Sequence, residues 1–302
     1  MSPGNLIDGR AIAQEIHSET ARRTTLLAER GLRPGLAFIR LGEDPASQVY
    51  VGMKEKKSKE VGIFSTTHVL PASTSQAELL QLIDRLNRDD RYHGILVQAP
   101  LPRHIDAPAV YSAVSPAKDV DGFHPLNVGK LMLGDPDGFL PCTPAGVHEL
   151  LIRSQIPLDG AEVIILGRGN IVGKPMAAIL MQKARHANCT VTVVHSGTRD
   201  TTAHCRRADL IIAAMGVPEF LKADMIRPGA VVIDVGVNRV PDPGSKTGTK
   251  LVGDVAYAEV QPKAGRITPN PGGVGPMTIA MLLANTLRAA ERTVGIGPQL
   301  RA

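Results

Sequence analysis

Hydrophobic positions in the first third of the chain alternate between helical and strand spacing. GRAIAQEIHSETARRTTLLAER predicts an amphipathic helix that ends at Gly31, and GLAFIRLG after it predicts a short strand. Further along, FSTTHVL and HGILVQAPLP predict two more strands, on either side of the capped helix TSQAELLQLIDRLNRD. Strand–helix–strand order of this kind predicts a parallel α/β layer.

A passage rich in proline and glycine, from about Pro116 to Pro144, interrupts this pattern. It is too polar and too broken to predict a core element. We therefore expect a functional loop or an inter-domain region.

A different pattern begins at Ala145. The helix AGVHELLIRSQ precedes four strand-like runs, AEVIILG, TVTVVHS, ADLIIAA and AVVIDVGV. Strands rich in Val and Ile with helical segments between them are typical of a doubly wound dinucleotide-binding domain. A glycine-proline loop, TPNPGGVG, then opens a long C-terminal helix, which we expect to return to the first domain.

Composition and charge narrow the class of protein. The 302 residues are enough for two domains. Of these residues 43% are hydrophobic and only 3% aromatic, a composition that suits buried parallel strands. The formal net charge is +5, but the lysines alternate with acids, as in KEKKSKE. We therefore expect small phosphorylated or carboxylated ligands rather than nucleic acid.

The cysteines, histidines and apolar runs of the sequence argue against a disulfide-bonded, a metal-binding and a membrane protein. Cys142, Cys189 and Cys205 are far apart and odd in number, which predicts reduced thiols rather than disulfides or a zinc site. The histidines lack ligand spacing, so we expect no metal. The N-terminus lacks an apolar signal core and no run reaches membrane-spanning length, which predicts a cytoplasmic protein without a membrane partner.

A glycine motif follows the first strand of the second half. Gly167, Gly169 and Gly173 form G-x-G-x-x-x-G, one residue longer than the usual dinucleotide fingerprint, before a helix predicted to begin near Val172. Such glycines let the backbone approach a pyrophosphate, which then lies at the helix N-terminus. The alternative is a simple tight turn.

The next strand ends at His195-Ser196 without the acidic residue that an NAD-preferring site places there. Arg168 in the glycine turn and Ser196 both favour a 2′-phosphate, which predicts NADP as the cofactor. The alternative is that Arg168 is only a solvated side chain.

The stretch SQVYVGMKEKKSKE raises the question whether one lysine moves a proton. At about 100° per residue, Ser47, Tyr50, Lys54 and Lys57 share a helical face, and the other two lysines point away. Lys54 and Lys57 are therefore the candidates. Short-chain dehydrogenases also use Tyr-x-x-x-Lys, but downstream of the glycine loop, whereas Lys54 precedes Gly167 by 113 residues.

Six segments together resemble the bifunctional methylenetetrahydrofolate dehydrogenase/cyclohydrolase family. They follow the family's order and span nearly the whole chain: SQVYVGMK, GILVQAPLP, KDVDGFHPLNVGKL, PCTPAGV, LGRGNIVGKP and PNPGGVGPMTIAMLLANT. The resemblance implies a homodimer whose subunits have an N-terminal α/β catalytic domain and a Rossmann-type domain, with the folate in a cleft between them. We expect the folate-binding domain to span 1–146, completed by 276–302, and the dinucleotide-binding domain to span 147–275.

The resemblance also implies residue roles. Lys54 handles protons, Tyr50 lines the folate site, Gln98 contacts Lys54 and Asp121 holds the pterin, and these four are the expected catalytic residues. The expected substrate-binding residues are Tyr50, Lys54, Val97, Gln98, Asp121, Pro271, Gly272, Gly273, Val274 and Gly275. The expected cofactor-binding residues are Gly167, Arg168, Gly169, Ser196 and Val237.

Three positions depart from the family's usual residues. Gly169 replaces a serine, Gly197 replaces an arginine beside the expected 2′-phosphate, and Ala99 replaces a leucine. The first two bear on cofactor preference and leave the folate residues unchanged.

The implied activity is NADP-dependent oxidation of 5,10-methylenetetrahydrofolate followed by hydrolysis of the methenyl product to 10-formyltetrahydrofolate. Hydrolysis requires proton transfers, and a lysine can act as a base only if burial keeps it neutral. Gln98 can orient that amine without restoring its charge. The alternatives are a family member with dehydrogenase activity only or with NAD preference, and a catalytically silent dinucleotide-binding sensor.

Overall fold

The structure is a computed structural model, and it describes residues 5–245 and 248–296. The α-helices are α1 (Gly9–Glu29), α2 (Pro45–Glu60), α3 (Gln76–Arg88), α4 (Ala107–Ala113), α5 (Pro125–Leu133), α6 (Cys142–Arg153), α7 (Gly173–Leu180), α8 (Thr201–Arg206), α9 (Tyr257–Val260) and α10 (Val274–Thr293). The strands are β1 (Gly35–Leu41), β2 (Phe64–Leu70), β3 (Gly94–Val97), β4 (Glu162–Leu166), β5 (Thr190–Val194), β6 (Leu210–Ala213), β7 (Val231–Asp234), β8 (Asn238–Pro241), β9 (Thr249–Val252) and β10 (Arg266–Ile267).

The chain forms two compact units. Among the described residues, one contains Gln14–Cys142 and 279–296, and the other contains 5–13, 143–245 and 248–278. We call them the lysine unit and the dinucleotide unit. The domain limits expected from the sequence remain a prediction, and the parts of those domains at 1–4, 246–247 and 297–302 lie outside the described residues.

The lysine unit contains a three-stranded parallel sheet in the order β2-β1-β3. The central strand β1 is almost wholly buried, as its apolar sequence predicts. Its Leu36 and Phe38 pack in one cluster with Leu282 and Leu283 of α10. The expectation that the C-terminal helix returns to the first α/β layer is therefore confirmed.

Helix starts in this unit follow local capping rules. Asp44 accepts a hydrogen bond from the backbone N–H of Ser47 at 2.8 Å, and Pro45 occupies the first turn of α2. Ser75 and Glu78 form a reciprocal capping box at the start of α3. These caps stabilise the starts of α2 and α3.

The passage from Pro116 to Pro144, in which no core element was predicted, contributes residues to the core. It contains α5, which is capped by the His124 side chain and ends at Gly134 with φ 72°. Val120 and Phe139 from the same passage are buried in the core beside β1. The expectation of no core element was wrong because a nine-residue helix flanked by proline and glycine is too short to display a clear periodicity, whereas the functional loop stays a prediction.

The dinucleotide unit contains a five-stranded parallel sheet in the order β10-β7-β6-β4-β5. The four strands predicted here are confirmed as β4, β5, β6 and β7. The short edge strand β10 and the antiparallel pair β8–β9 were not predicted. The strand order reverses between β4 and β6, where ligands of open α/β sheets bind at the carboxyl ends of the strands.

Candidate active site

The centre of the lysine unit's site is a buried amine. Lys54 is 4% exposed, and its Nζ donates a hydrogen bond to Gln98 Oε1 at 3.0 Å. Gln98 follows the last residue of β3, and its Nε2 donates to the Ala99 carbonyl at 2.6 Å. This second bond orients the amide so that its oxygen, rather than its nitrogen, faces the lysine.

The helical face predicted from spacing is largely confirmed. Ser47 and Lys54 are buried, and Tyr50 between them places its ring centroid 4.5 Å from Lys54 Nζ. Lys57 lies further round the helix, with its side chain 34% exposed and paired with Glu60 at 2.6 Å. Of the two candidate lysines, the structure therefore buries only Lys54.

Burial and neighbouring charge act in opposite directions on this amine. Burial lowers the pKa of Lys54, while the nearby Asp121 carboxylate and the Cys142 thiol oppose that shift. Burial also raises the pKa of Asp121, against the effect of the Lys54 charge. Burial thus acts on both groups in favour of their neutral forms, and their mutual attraction acts against it.

Asp121 is presented by a tightly bonded loop. The preceding acid, Asp119, is buried and accepts hydrogen bonds from the backbone N–H groups of Phe123 and His124 at 3.1 and 2.8 Å. It also accepts from Asn127 Nδ2 at 2.8 Å. Of the two acids in KDVDGF, the first is therefore held by the loop itself and the second interacts with the lysine.

Two further residues at this site were not predicted from the sequence. Cys142 is buried, and burial together with the Asp121 charge raises the pKa of its thiol well above the ordinary value. Its Sγ donates to the Val120 carbonyl at 3.3 Å, and Asn285 Nδ2 of α10 donates to the same oxygen at 2.9 Å. No sequence signal joins residues so far apart, although PCTP marked Cys142 as part of a family segment.

Val97, expected to bind substrate, is the last residue of β3 and is almost fully buried. Its side chain packs with Ile39 and Ile95 in the cluster on the other side of the sheet from Leu36 and Phe38. It therefore sits next to Gln98 in the chain but contributes its side chain to the core.

In the dinucleotide unit, the glycine turn lies at the switch point of the sheet. A Cβ at Gly167, where φ is 115°, would come within 2.3 Å of the Ala214 carbonyl that follows β6. A Cβ at Gly173 would come within 2.2 Å of the Gly167 carbonyl. These two glycines are required by the fold of the turn, so the motif is more than a flexible loop.

The same turn leaves room for a pyrophosphate. A Cβ at Gly169 would meet no atom within 4 Å, and no side chain caps the N-terminus of α7 at Val172. The Lys174 N–H already bonds the Gly169 carbonyl at 3.1 Å and Pro175 has no N–H, so the turn offers an anionic diphosphate chiefly its open glycine backbone. The residues present therefore fit a dinucleotide.

The remaining expected cofactor residues follow the carboxyl ends of other strands. Ser196 is exposed after β5, and Val237 is 69% exposed after β7. Arg168 is exposed in the glycine turn, with one guanidinium nitrogen 3.4 Å from His195 Nε2. These residues lie on the edge of the sheet that doubly wound folds use for ligands.

The loop expected to contact folate, 271–275, also belongs to the dinucleotide unit. Gly273 contacts the start of α1 closely, since a Cβ at Gly9 would lie 1.8 Å from the Gly273 carbonyl. Val274 is the first residue of α10. The structure thus brings together Tyr50, Lys54, Gln98 and Asp121 in one unit and the cofactor residues with this loop in the other.

The described residues contain neither a metal-ion cluster nor a membrane-spanning helix. Among residues 5–245 and 248–296, no group of three or more His, Cys, Asp or Glu side chains is arranged to hold a metal ion. Within the same residues, no helix is long and apolar enough to cross a membrane.

The protein is a two-unit α/β protein. One unit has the parallel sheet of a dinucleotide-binding domain and the other has a buried lysine, a combination suited to a nucleotide-dependent enzyme. The family model of the tetrahydrofolate dehydrogenase/cyclohydrolase catalytic domain matches residues 7–121, and that of the NAD(P)-binding domain matches residues 141–294. The chain belongs to the tetrahydrofolate dehydrogenase/cyclohydrolase family.

Individual relatives match along nearly the whole chain. The bifunctional protein FolD of Moorella thermoacetica is 56% identical over 96% of this chain and 100% of its own length. The FolD of Syntrophus aciditrophicus is 55% identical over 96% of this chain and 99% of its own.

Solved structures agree with this likeness. The bifunctional FolD enzyme of Campylobacter jejuni superposes with a TM-score of 0.90 at 48% identity, covering 95% of this chain and 99% of that one. The Trypanosoma brucei dehydrogenase-cyclohydrolase, complexed with NADP and an inhibitor, gives a TM-score of 0.92 at 41% identity, covering 98% and 100%.

Proposed function

We propose that the protein oxidises 5,10-methylenetetrahydrofolate to 5,10-methenyltetrahydrofolate with NADP and hydrolyses the methenyl product to 10-formyltetrahydrofolate. The observation that carries this proposal is the buried Lys54 amine bonded to Gln98, in a chain of the tetrahydrofolate dehydrogenase/cyclohydrolase family. Relatives at 55–56% identity are named as bifunctional proteins.

Lys54 acts as the proton-handling residue of the hydrolysis. Water attack on the methenyl cation and opening of the ring both require proton transfer, typically worth about 10²–10⁴ in rate. Burial lowers the pKa of Lys54, so a neutral amine is accessible. The positive charge of the methenyl substrate acts in the same direction.

The other three residues bind and orient. Gln98 holds the amine by its amide oxygen, because its Nε2 is committed to the Ala99 carbonyl, and as a neutral amide it adds no charge. Tyr50 places its ring over the amine and lines the folate site. The family likeness assigns Asp121 to the pterin, and on the same basis it assigns the loop 271–275 and the backbone of Val97 to substrate binding.

NADP supplies the hydride acceptor for the first reaction when it is bound. Gly167 and Gly169 would hold its pyrophosphate at the start of α7, Arg168 between them would face the 2′-phosphate, and Val237 would lie against the cofactor after β7. Ser196 and Arg168 favour the 2′-phosphate, because β5 ends without a carboxylate that could bond a ribose hydroxyl.

The protein acts as a cytoplasmic homodimer in this proposal. The basis is the family likeness, and an absolute molecular mass from light scattering during size-exclusion chromatography tests the dimer directly. A mass equal to one chain, 32.1 kDa, would contradict it.

A paired spectroscopic assay tests the two activities. Methylenetetrahydrofolate is mixed with the protein and either NADP or NAD, and nicotinamide reduction is followed together with methenyl absorbance. The proposal requires reduction that is faster with NADP, and decay of methenyl absorbance above the uncatalysed rate. Reduction without accelerated decay would indicate a dehydrogenase alone, faster reduction with NAD would reverse the cofactor assignment, and no reduction would favour a sensor.

A further inference from the structure

Two buried carboxylates lie in the dinucleotide unit outside the residues assigned above. Asp234 ends β7 and is 2% exposed, and Asp254 follows β9 and is 1% exposed. We propose that Asp254, supported by Asp234, is a positioning residue that fixes the backbone loops of the cofactor site. This inference rests on the proposed NADP-dependent reaction and goes beyond it by naming what holds the site in shape.

Asp254 connects the loops that follow two neighbouring strands of the sheet. Its Oδ2 accepts hydrogen bonds from the backbone N–H groups of Met215 and Gly216, after β6, at 2.6 and 2.9 Å. Its Oδ1 accepts from Asn238 Nδ2, after β7, at 2.8 Å. One side chain therefore holds the loop after β6 and the loop that carries Val237.

Asp234 holds Asp254 in place. Its Oδ1 accepts from the backbone N–H groups of Gly236 and Asp254 at 3.0 and 2.9 Å. Its Oδ2 accepts from the N–H of Val255 at 3.3 Å. Since Asp234 is the last residue of β7, these bonds tie the Asp254 segment directly to the sheet.

Two glycines leave space for the carboxylates of Asp234 and Asp254. A Cβ at Gly253 would lie 1.6 Å from Asp234 Oδ2, and a Cβ at Gly236 would lie 2.1 Å from Asp254 Oδ1. Both positions must therefore be glycine for the two acids to occupy these places. Such close contact indicates a built network rather than two acids that happen to be buried.

The network extends to the surfaces assigned to cofactor and substrate. The loop held by Asp254 includes the segment whose Ala214 carbonyl packs against Gly167 of the glycine turn. On the other side, Asn270 Nδ2 donates to the Gly236 carbonyl at 2.5 Å, just before the loop 271–275. The carboxylates thus connect the glycine turn, the Val237 loop and the start of the 271–275 loop within one unit.

The acceptor chemistry explains why an acid is needed here. The side-chain oxygens of Asp254 meet three N–H donors, and an ionised carboxylate can accept all of them. An asparagine would turn its NH₂ group toward one of these donors, and only a flip of the Asn238 amide could then supply an acceptor, so the network cannot be kept unchanged. The substitution Asp254→Asn keeps the volume of the side chain and removes this ability.

The experiment uses the full chain carrying Asp254→Asn, with Asp224→Asn, an exposed acid of the same unit, as the matched control. NADP affinity is measured by isothermal titration calorimetry well below the melting temperature, and both activities are measured in parallel. We expect the Kd for NADP to rise at least tenfold in Asp254→Asn and to stay within twofold in the control. We also expect dehydrogenase kcat/KM to fall at least tenfold more than hydrolysis of methenyltetrahydrofolate.

A role confined to stability would lower the melting temperature and leave the NADP Kd of the folded protein unchanged, and that result would overturn the proposal. If Asp254→Asn does not fold, the variant Asn238→Ala tests the proposal instead. It removes the side-chain amide that donates to Asp254, at a partly exposed position. Its NADP Kd must rise at least threefold, and an unchanged value would overturn the inference. A wild-type chain that neither binds NADP nor oxidises methylenetetrahydrofolate would instead refute the proposed function.

Discussion

Replacement of Lys54 by methionine tests the assigned proton-handling group most directly. The variant loses the hydrogen bond to Gln98, worth about 1 kcal/mol, and leaves the Gln98 oxygen without that donor, at a cost of about 1–3 kcal/mol. Two effects offset this loss, because an amine 4% exposed no longer has to be buried and methionine fills a similar volume. We therefore expect the free energy of unfolding to change by less than about 2 kcal/mol.

The effect on catalysis should be much larger than the effect on stability. Loss of a positioned acid–base group lowers the rate about 10²–10⁴-fold, equivalent to about 3–5 kcal/mol in the barrier. We expect a loss of this size in the hydrolysis of methenyltetrahydrofolate, followed by the decay of its absorbance. Hydride transfer needs positioning more than a base, so dehydrogenation should fall less.

Lys57→Met is the matched control, because it removes an amine from the same helix at a position 34% exposed and paired with Glu60. We expect both activities of this variant to stay within twofold of the wild type. Hydrolysis by Lys54→Met within threefold of the wild-type rate, with folding intact by circular dichroism, would refute the assignment of Lys54. A large loss in Lys57→Met alone would transfer the role to that residue.

Three further variants test the electrostatics of the two units. Asp121→Asn removes a carboxylate that raises the pKa of Lys54. The pH below which hydrolysis slows should therefore move to a lower value, while the folate KM rises. A move of that pH to a higher value would contradict the pairing of Asp121 with Lys54. Arg168→Gln should weaken NADP binding about 10- to 100-fold through loss of a charge-assisted bond and leave NAD binding unchanged, and an equal loss for both cofactors in calorimetry would contradict the assignment. Burial lowers the pKa of His17 from 6.5 to about 4. The stability that the neutral, buried imidazole contributes is therefore complete above about pH 6.5 and is lost as the pH falls toward about 4. The total loss in the free energy of unfolding is about 3 kcal/mol. Urea denaturation of His17→Gln should show that this part of the pH dependence is gone, whereas a slope identical to the wild type would exclude His17 as its source.

Local sequence rules predicted much of the fold because they act over a few residues. The Val- and Ile-rich runs became β4 to β7, and the spacing of Ser47, Tyr50 and Lys54 gave the correct helical face. Local rules failed where an element was short, as in α5 and β10. There, packing against the rest of the unit stabilises a segment whose own periodicity is too brief to recognise.

The candidate site was predicted by likeness to a family more than by local pattern. Lys54 and Gln98 are 44 positions apart in the chain, yet their side chains are 3.0 Å apart. Asp234 and Asp254 were missed altogether, because acids in a chain are ordinarily exposed and no sequence spacing shows that three N–H groups converge on one carboxylate.

The amino-acid sequence by itself therefore determined that the two larger sheets are parallel α/β sheets, where the glycine turn lies and which face of α2 carries the lysine. Each of these depends on backbone preference and on the periodicity of neighbouring residues. Only the tertiary structure decided which lysine is buried, which acid of KDVDGF interacts with it and which carboxylates hold the loops after β6 and β7. The physical reason is that desolvation and hydrogen-bond partners depend on atoms brought together from distant parts of the chain.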